Sequence, residues 1–256
     1  MVFRKINKDG YLISKNLFKI EDINKLERSI IQYSTLYLKR FSKKLYLQGL
    51  NILKEKNNKF REKSLEFLSS IEKKDKKIFY DVCKNIFRIE IANVFFKTQK
   101  IDKILKDYFG KSYLIVQKAH PMLLFNSKST KRLMFEWHQE CHFYEQKKGI
   151  HFWFPIFRNV KSSKDGSLKI APKSNKKIYS YKKKKNKNGY LQKIPTVNVD
   201  KKFKTRSIKL NRRDAVIFDH RTFHKTDVQN NNKPRTAIVV KFLADNNKEQ
   251  LIFLNQ

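Results

Sequence analysis

Residues 111–157 read KSYLIVQKAHPMLLFNSKSTKRLMFEWHQECHFYEQKKGIHFWFPIF, and a change of texture along them decides the fold. Short apolar runs, each centred on β-branched or aromatic residues and broken by polar turns, replace the helical spacing that precedes Gly110. Such runs read as strands. The spacing predicts strands at Tyr113–Gln117, Met122–Phe125, Leu133–Phe143 and Ile150–Phe157, then at Ser167–Ala171, Ser207–Leu210, Ala215–Phe218, Thr222–Val228 and Thr236–Phe242. Many short strands at this interval make a sandwich, a jelly roll or a barrel. Upstream, DGYLISKNLFKIEDINKL gives a short strand, a turn at Lys15–Asn16 and a helix whose apolar positions begin Ile20, Ile23, Leu26, Ile30 and Ile31. Glu21 and Asp22 suit the positive end of that helix. Helical spacing continues to about Tyr108, with no proline before Pro121. The expectation is one α+β domain over 1–256, with a mainly helical region, 1–110, packed outside a β core, 111–256. Within that core the Lys/Asn-rich stretch at 173–206, which contains Lys182–Lys185, reads as a long surface loop and a candidate lid.

At 256 residues the chain is one large domain by the rough ~150 residues that a domain takes. Hydrophobic residues at 40% and aromatics at 13% supply a core, which excludes wholesale disorder. Two cysteines, Cys83 and Cys141, exclude a disulfide scaffold and point to a reducing compartment. The start has no signal-peptide character, and no run approaches the ~18 apolar residues of a membrane span, so a cytoplasmic protein without a span is expected. The net charge of +36 is carried by 47 lysines against 12 arginines. Lys, Asn, Ile and Phe all have A/T-rich codons, so base composition accounts for much of the bias. A phosphate reader would draw more on the planar fork of Arg. Nucleic acid is therefore disfavoured as a partner, while an anionic small molecule stays open.

The chemistry concentrates in Phe135-Glu136-Trp137-His138-Gln139-Glu140. In a strand, residues i and i+2 share a face, so His138 and Glu140 can converge on one ion while Gln139 turns away. A second histidine would complete a 2-His-1-carboxylate face, which holds Fe(II) with positions left open. Glu136-x-His138 and His138-x3-His142 are competing pairs in the same segment. Further along, His224 lies ten residues after Asp214, and Arg235 eleven residues after His224. His220 is the rival for the distal ligand. An always-charged fork at the base of a pocket suits the far carboxylate of a dicarboxylate, with the Thr226 hydroxyl as a second donor.

With these residues in place, the chain resembles the phytanoyl-CoA dioxygenase family of Fe(II)- and 2-oxoglutarate-dependent oxygenases. The likeness runs through DGYLISKNL, WHQE, HFWFPI, DGSLKIAPKSNK, RRDAVIF and FHKTDVQNNNKPR. It implies a double-stranded β-helix, the cupin-like jelly roll, as the core. It implies Fe(II) held by His138, Glu140 and His224, and 2-oxoglutarate gripped by Arg235 with Thr226 nearby and Trp153 lining its pocket. O2 is the second cosubstrate, and a small organic molecule, with an anionic one left open, is hydroxylated. Glu140 stands where the family usually has Asp, Arg213 where it has Gly, Lys173 where it has Gly and Asn175 where it has His. A basic binding protein on the same β fold, without turnover, is the alternative from another class.

Overall fold

The computed structural model describes residues 2–85, 98–110, 114–116, 122–126, 135–143, 148–185, 191–227 and 234–245. In chain order the helices are α1 (Val2–Asp9), α2 (Ile20–Leu38), α3 (Lys43–Leu53), α4 (Asn57–Lys74), α5 (Lys76–Asn85), α6 (Gln99–Phe109) and the single turn α7 (Val199–Lys202). The strands are β1 (Tyr11–Ser14), β2 (Leu114–Val116), β3 (Met122–Asn126), β4 (Gly149–Pro155), β5 (Leu168–Ile170), β6 (Tyr181–Lys185), β7 (Leu191–Pro195), β8 (Arg206–Ser207), β9 (Ala215–Asp219), β10 (His224–Thr226) and β11 (Arg235–Asp245). β1, β9, β4, β11 and β2 form one antiparallel sheet in that order, with β3 also on the β11 edge. β10, β5 and β8 form a second sheet, and β6 pairs with β7.

Every residue of β4 is buried, as it must be in a strand covered on both faces. Alternation assigns the two coverings. Phe152, Phe154, Ile217, Ile238, Val240 and Phe242 join a cluster with Ile23, Ile30, Phe67, Leu68 and Ile104 of the helices. Trp153, Val216, Phe218, Ala237 and Val239 point the other way, into a smaller core with Leu168 and Ile170 of the facing sheet and Ile208 and Leu210 just beyond β8. Two sheets closed over one inner core, with helices on the outer face of the larger sheet, make the expected jelly roll with its helical support outside.

Four local expectations change. The strand predicted over Leu133–Phe143 is absent from its described part: His138 makes a single bridge to His224, and Glu140–Phe143 is one 3-10 turn. Side chains anchor this segment where a ladder would. The Trp137 indole N–H donates to Asp200 at 2.8 Å, and the Gln139 amide donates to the carbonyls of Lys177 and Arg221 while accepting from the Tyr179 N–H. The expected loop at 173–206 contains the β6–β7 hairpin and α7. Strand Ser207–Leu210 shrinks to β8, Leu210 only bridging Val160. Residues 2–9 form a helix that no pattern announced. Tyr113, Gln117, Leu133, Met134 and Val228, the outer residues of three expected strands, lie outside the described residues.

Candidate metal centre

His138 and His224 meet because the segments carrying them bond to each other: each backbone N–H donates to the other's carbonyl, at 3.1 and 3.2 Å. Their ring centroids are 4.2 Å apart. The 3-10 turn then lifts Glu140 to the same point, its Oε1 3.7 Å from His138 Nε2. One donor atom from each of His138, Glu140 and His224 lies within 4.8 Å of the other two, and all three residues are buried. The strand geometry read from His-x-Glu is thus replaced by a bridge and a turn, which bring the same side chains together. His220 is not in this group.

The hydrogen bonds fix the chemistry of the donors. His138 Nδ1 lies 2.7 Å from the Glu136 carbonyl, and His224 Nδ1 lies 3.0 Å from the Thr222 carbonyl. A carbonyl only accepts, so both Nδ1 atoms carry a proton, which leaves Nε2 as the ring nitrogen of each that can ligate. Burial pushes the His224 imidazole down to about 3, helped by the neighbouring His138, so it is neutral at physiological pH. Burial alone would raise the Glu140 carboxyl; the Lys241 ammonium above all outweighs it and holds the group well below the usual range. Two imidazoles that present Nε2 and an ionised carboxylate are a donor set that suits iron.

Lys241 escaped the sequence reading. Its Nζ donates to Glu140 Oε1 at 2.9 Å. The signal was present: a lone lysine in the apolar run TAIVVKFLA, six residues from Arg235 and so on the same face of the strand. His151 and His220 also adjoin the centre, their rings 4.2 Å apart and His151 6.0 Å from His224.

Arg235, at the start of β11, is 2% exposed, and its guanidinium carbon stands 5.6 Å over the Trp153 ring. Burial pushes it down only to about 10, so it stays charged at neutral pH. Trp153 belongs to the inner core beneath it. Thr226 is half-buried, two residues beyond His224 on β10. Outside, Phe135 and Phe143 flank the His138 ring at 5.5 and 6.3 Å and are partly exposed. The β6–β7 hairpin packs beside this rim: Lys193 donates to the His142 carbonyl and stands 4.8 Å over the Phe143 ring.

Among solved structures, a non-heme monooxygenase, ThoJ in its apo form, matches with a TM-score of 0.58 at 10% identity over 95% of this chain and 77% of its own. EctD from S. alaskensis, crystallised with 2-oxoglutarate and 5-hydroxyectoine, matches with a TM-score of 0.55 at 10% identity over 94% of this chain and 74% of its own. The epimerase SnoN, solved with Fe3+, alpha ketoglutarate and nogalamycin RO, matches with a TM-score of 0.50 at 10% identity over 94% and 82%. At such identity these likenesses speak for the fold. No curated protein sequence matches the chain. No described helix is long and apolar enough to cross a membrane. The family model for phytanoyl-CoA dioxygenase (PhyH) matches residues 6–237; with that span covered, the chain belongs to the PhyH family of Fe(II)- and 2-oxoglutarate-dependent oxygenases.

Proposed function

We propose that this oxygenase hydroxylates a small organic substrate bearing an anionic group, with His138, Glu140 and His224 as its iron ligands. The observation that carries the reading is the convergence of two imidazoles, each with its Nδ1 tied to a carbonyl, and one carboxylate in a buried site. When bound, iron with 2-oxoglutarate and O2 supplies the oxidising power: one oxygen atom goes to the substrate C–H as hydroxyl, and the cosubstrate leaves as succinate and CO2.

This chain's residues do the rest. Arg235 pairs with the distal carboxylate of 2-oxoglutarate from its buried place beside Trp153. Trp153 walls that end, and Thr226 offers a hydroxyl. The carbonyls of Glu136 and Thr222 hold both imidazoles in the ligating tautomer. Burial of the centre keeps water from competing for the open positions. On the outer side, the exposed rings of Phe135 and Phe143 offer an apolar rim and Lys193 a cation. That pairing supports a substrate with an apolar part and an anionic part. The alternative without turnover is not favoured, because the ligand set and the buried arginine are both intact.

The test is an anaerobic titration with Fe(II) and 2-oxoglutarate, followed by the weak visible charge-transfer band of the chelate. The band is expected in the wild type and lost in His138→Ala and His224→Ala. Its absence from the wild type would sink the reading, and salt-sensitive polyanion binding alone would then support the alternative.

A further inference from the structure

Four of the chain's 12 arginines line a single cleft that none of the candidate iron ligands borders. The cleft, about 500 Å³, is bounded by the starts of α2 and α4 and by the loops at 157–165 and 211–213. Arg61, Arg158, Arg212 and Arg213 face it together with Lys161, Asn58, Asn159 and Asn211, and Glu62 and Asp165 are its only lining carboxylates among the described residues. Five cations thus meet two carboxylates, or three when Glu27 behind Arg212 is counted.

In a chain that uses lysine almost everywhere, this concentration of arginine is the opposite of a codon-driven surface. Lysines scatter charge into water, whereas a guanidinium presents fixed N–H pairs that match carboxylate and phosphate oxygens. The arginines are also held in place. Arg212 donates to both Glu27 oxygens at 2.7 Å, Arg158 pairs with Asp165, and the Arg213 Nε–H donates to the Phe18 carbonyl at 3.2 Å. Each contact uses part of a five-donor fork. Glu27 also accepts the Phe157 N–H at 2.8 Å, with Phe157 at φ 64. A bulky residue in the left-handed region is strained, and the Glu27 bond helps to hold the cleft wall there against that strain.

Cations outnumber carboxylates in the cleft. α4 begins with no acidic residue in its first turn and no side-chain cap, so the positive end of an 18-residue helix adds to the arginines. Burial, and then the Arg212 charge, push the Arg61 guanidinium down, the mark of two like charges held together. Ile20, Leu65 and Phe157 add an apolar wall, and the volume fits a small metabolite.

We infer that this cleft is a binding site for a small organic polyanion, distinct from the cosubstrate pocket. Phosphorylated and polycarboxylate metabolites share the clustered oxyanions that it would recognise. Its place in the fold supports the separation. The cleft opens on the helical side, with Ile20 of α2 and Leu65 of α4 in its wall, whereas Arg235 is on the opposite face of the sheet, over Trp153 of the inner core.

The experiment is isothermal titration of the full chain with inorganic pyrophosphate and, separately, citrate, each against sodium chloride of matched ionic strength. Saturable binding of one or both is expected, and which one saturates tells the phosphorylated class from the carboxylate class. The variant Arg61→Gln/Arg213→Gln, which leaves the Arg212–Glu27 and Arg158–Asp165 pairs intact, should weaken binding at least tenfold, with circular dichroism showing that it folds. Arg235→Met and Lys182→Gln/Lys184→Gln should bind as the wild type does. Heats no larger than those of the salt control would overturn the inference. So would unchanged affinity in the Arg61/Arg213 variant, or loss in the Arg235 or hairpin variants, since the anion would then sit elsewhere.

Discussion

Replacing Lys241 by Met removes the cation that lies 2.9 Å from Glu140 while keeping an unbranched side chain in β11. At that separation an effective dielectric of ~20 gives a gross attraction of roughly 6 kcal/mol, an upper bound. The lysine side chain is 17% exposed and that of Glu140 12%, so both give up most of their hydration, which offsets most of the attraction. Hydrogen bonds to charged groups contribute about 1.5–3 kcal/mol net. The expected loss is therefore about 2 kcal/mol in the metal-free protein, measured by urea unfolding in the presence of a chelator. In a Glu140→Gln background the same substitution should cost under about 0.5 kcal/mol, because the partner charge is gone. Saturating Co(II) should also shrink the penalty, since a bound cation neutralises the carboxylate and stabilises the fold by mass action. If Lys241→Met loses the same stability in the Glu140→Gln background, the lysine acts by packing and the ion-pair argument fails.

Arg235→Met should raise the apparent KM for 2-oxoglutarate at least tenfold while leaving Co(II) affinity within about twofold, in line with the ~1.5–3 kcal/mol of a charge-assisted bond; steady-state kinetics and metal titration check it. Glu140→Ala should abolish hydroxylation, whereas Glu140→Asp should retain at least a tenth of kcat, read from succinate release. Asp214 accepts from the N–H groups of Asn16 and Asn211, both at 3.0 Å, and from Lys15 at 2.9 Å. Burial alone would raise its carboxyl, but these donors hold it below the usual value. The stability it contributes is thus present above the unfolded pKa of ~3.9 and lost as the pH falls through the lower folded value. Asp214→Asn should lower unfolding stability by about 1.5–3 kcal/mol at pH 7, with the gap to wild type closing on acidification below about pH 4. A Cβ on Gly149 would meet the His220 ring at 2.1 Å, so Gly149→Ala should cost about 1–3 kcal/mol by overpacking, seen as a lower Tm.

Much of this architecture was legible because burial leaves a periodic trace. β4 reads as an unbroken apolar run because helices cover one face and the second sheet the other, and α2 shows its core stripe from Ile23 to Leu38. Periodicity fails where side chains rather than ladders hold the backbone. Residues 135–143 are tied by Trp137 and Gln139 to partners 38 to 82 positions away, and no local pattern encodes such ties. β6 was invisible because its lysines face solvent, leaving no alternation. The candidate ligands were legible from spacing and family likeness. Lys241 was not, since its meaning depends on Glu140 arriving from 101 residues away.

β11 joins Arg235 and Lys241 by a pleated backbone that is held on both edges, by β4 along one side and by β3 and then β2 along the other. Arg235 and Lys241 are six steps apart on it, roughly 20 Å along the strand axis at ~3.3 Å per residue. The strand is in effect a ruler, with the proposed cosubstrate grip at one mark and the Glu140 counter-ion at another. A slip of a single residue would turn both marks to the helical side together. Insertions here should therefore be all-or-nothing in their effect, disabling both ends of the reaction chamber together rather than retuning either.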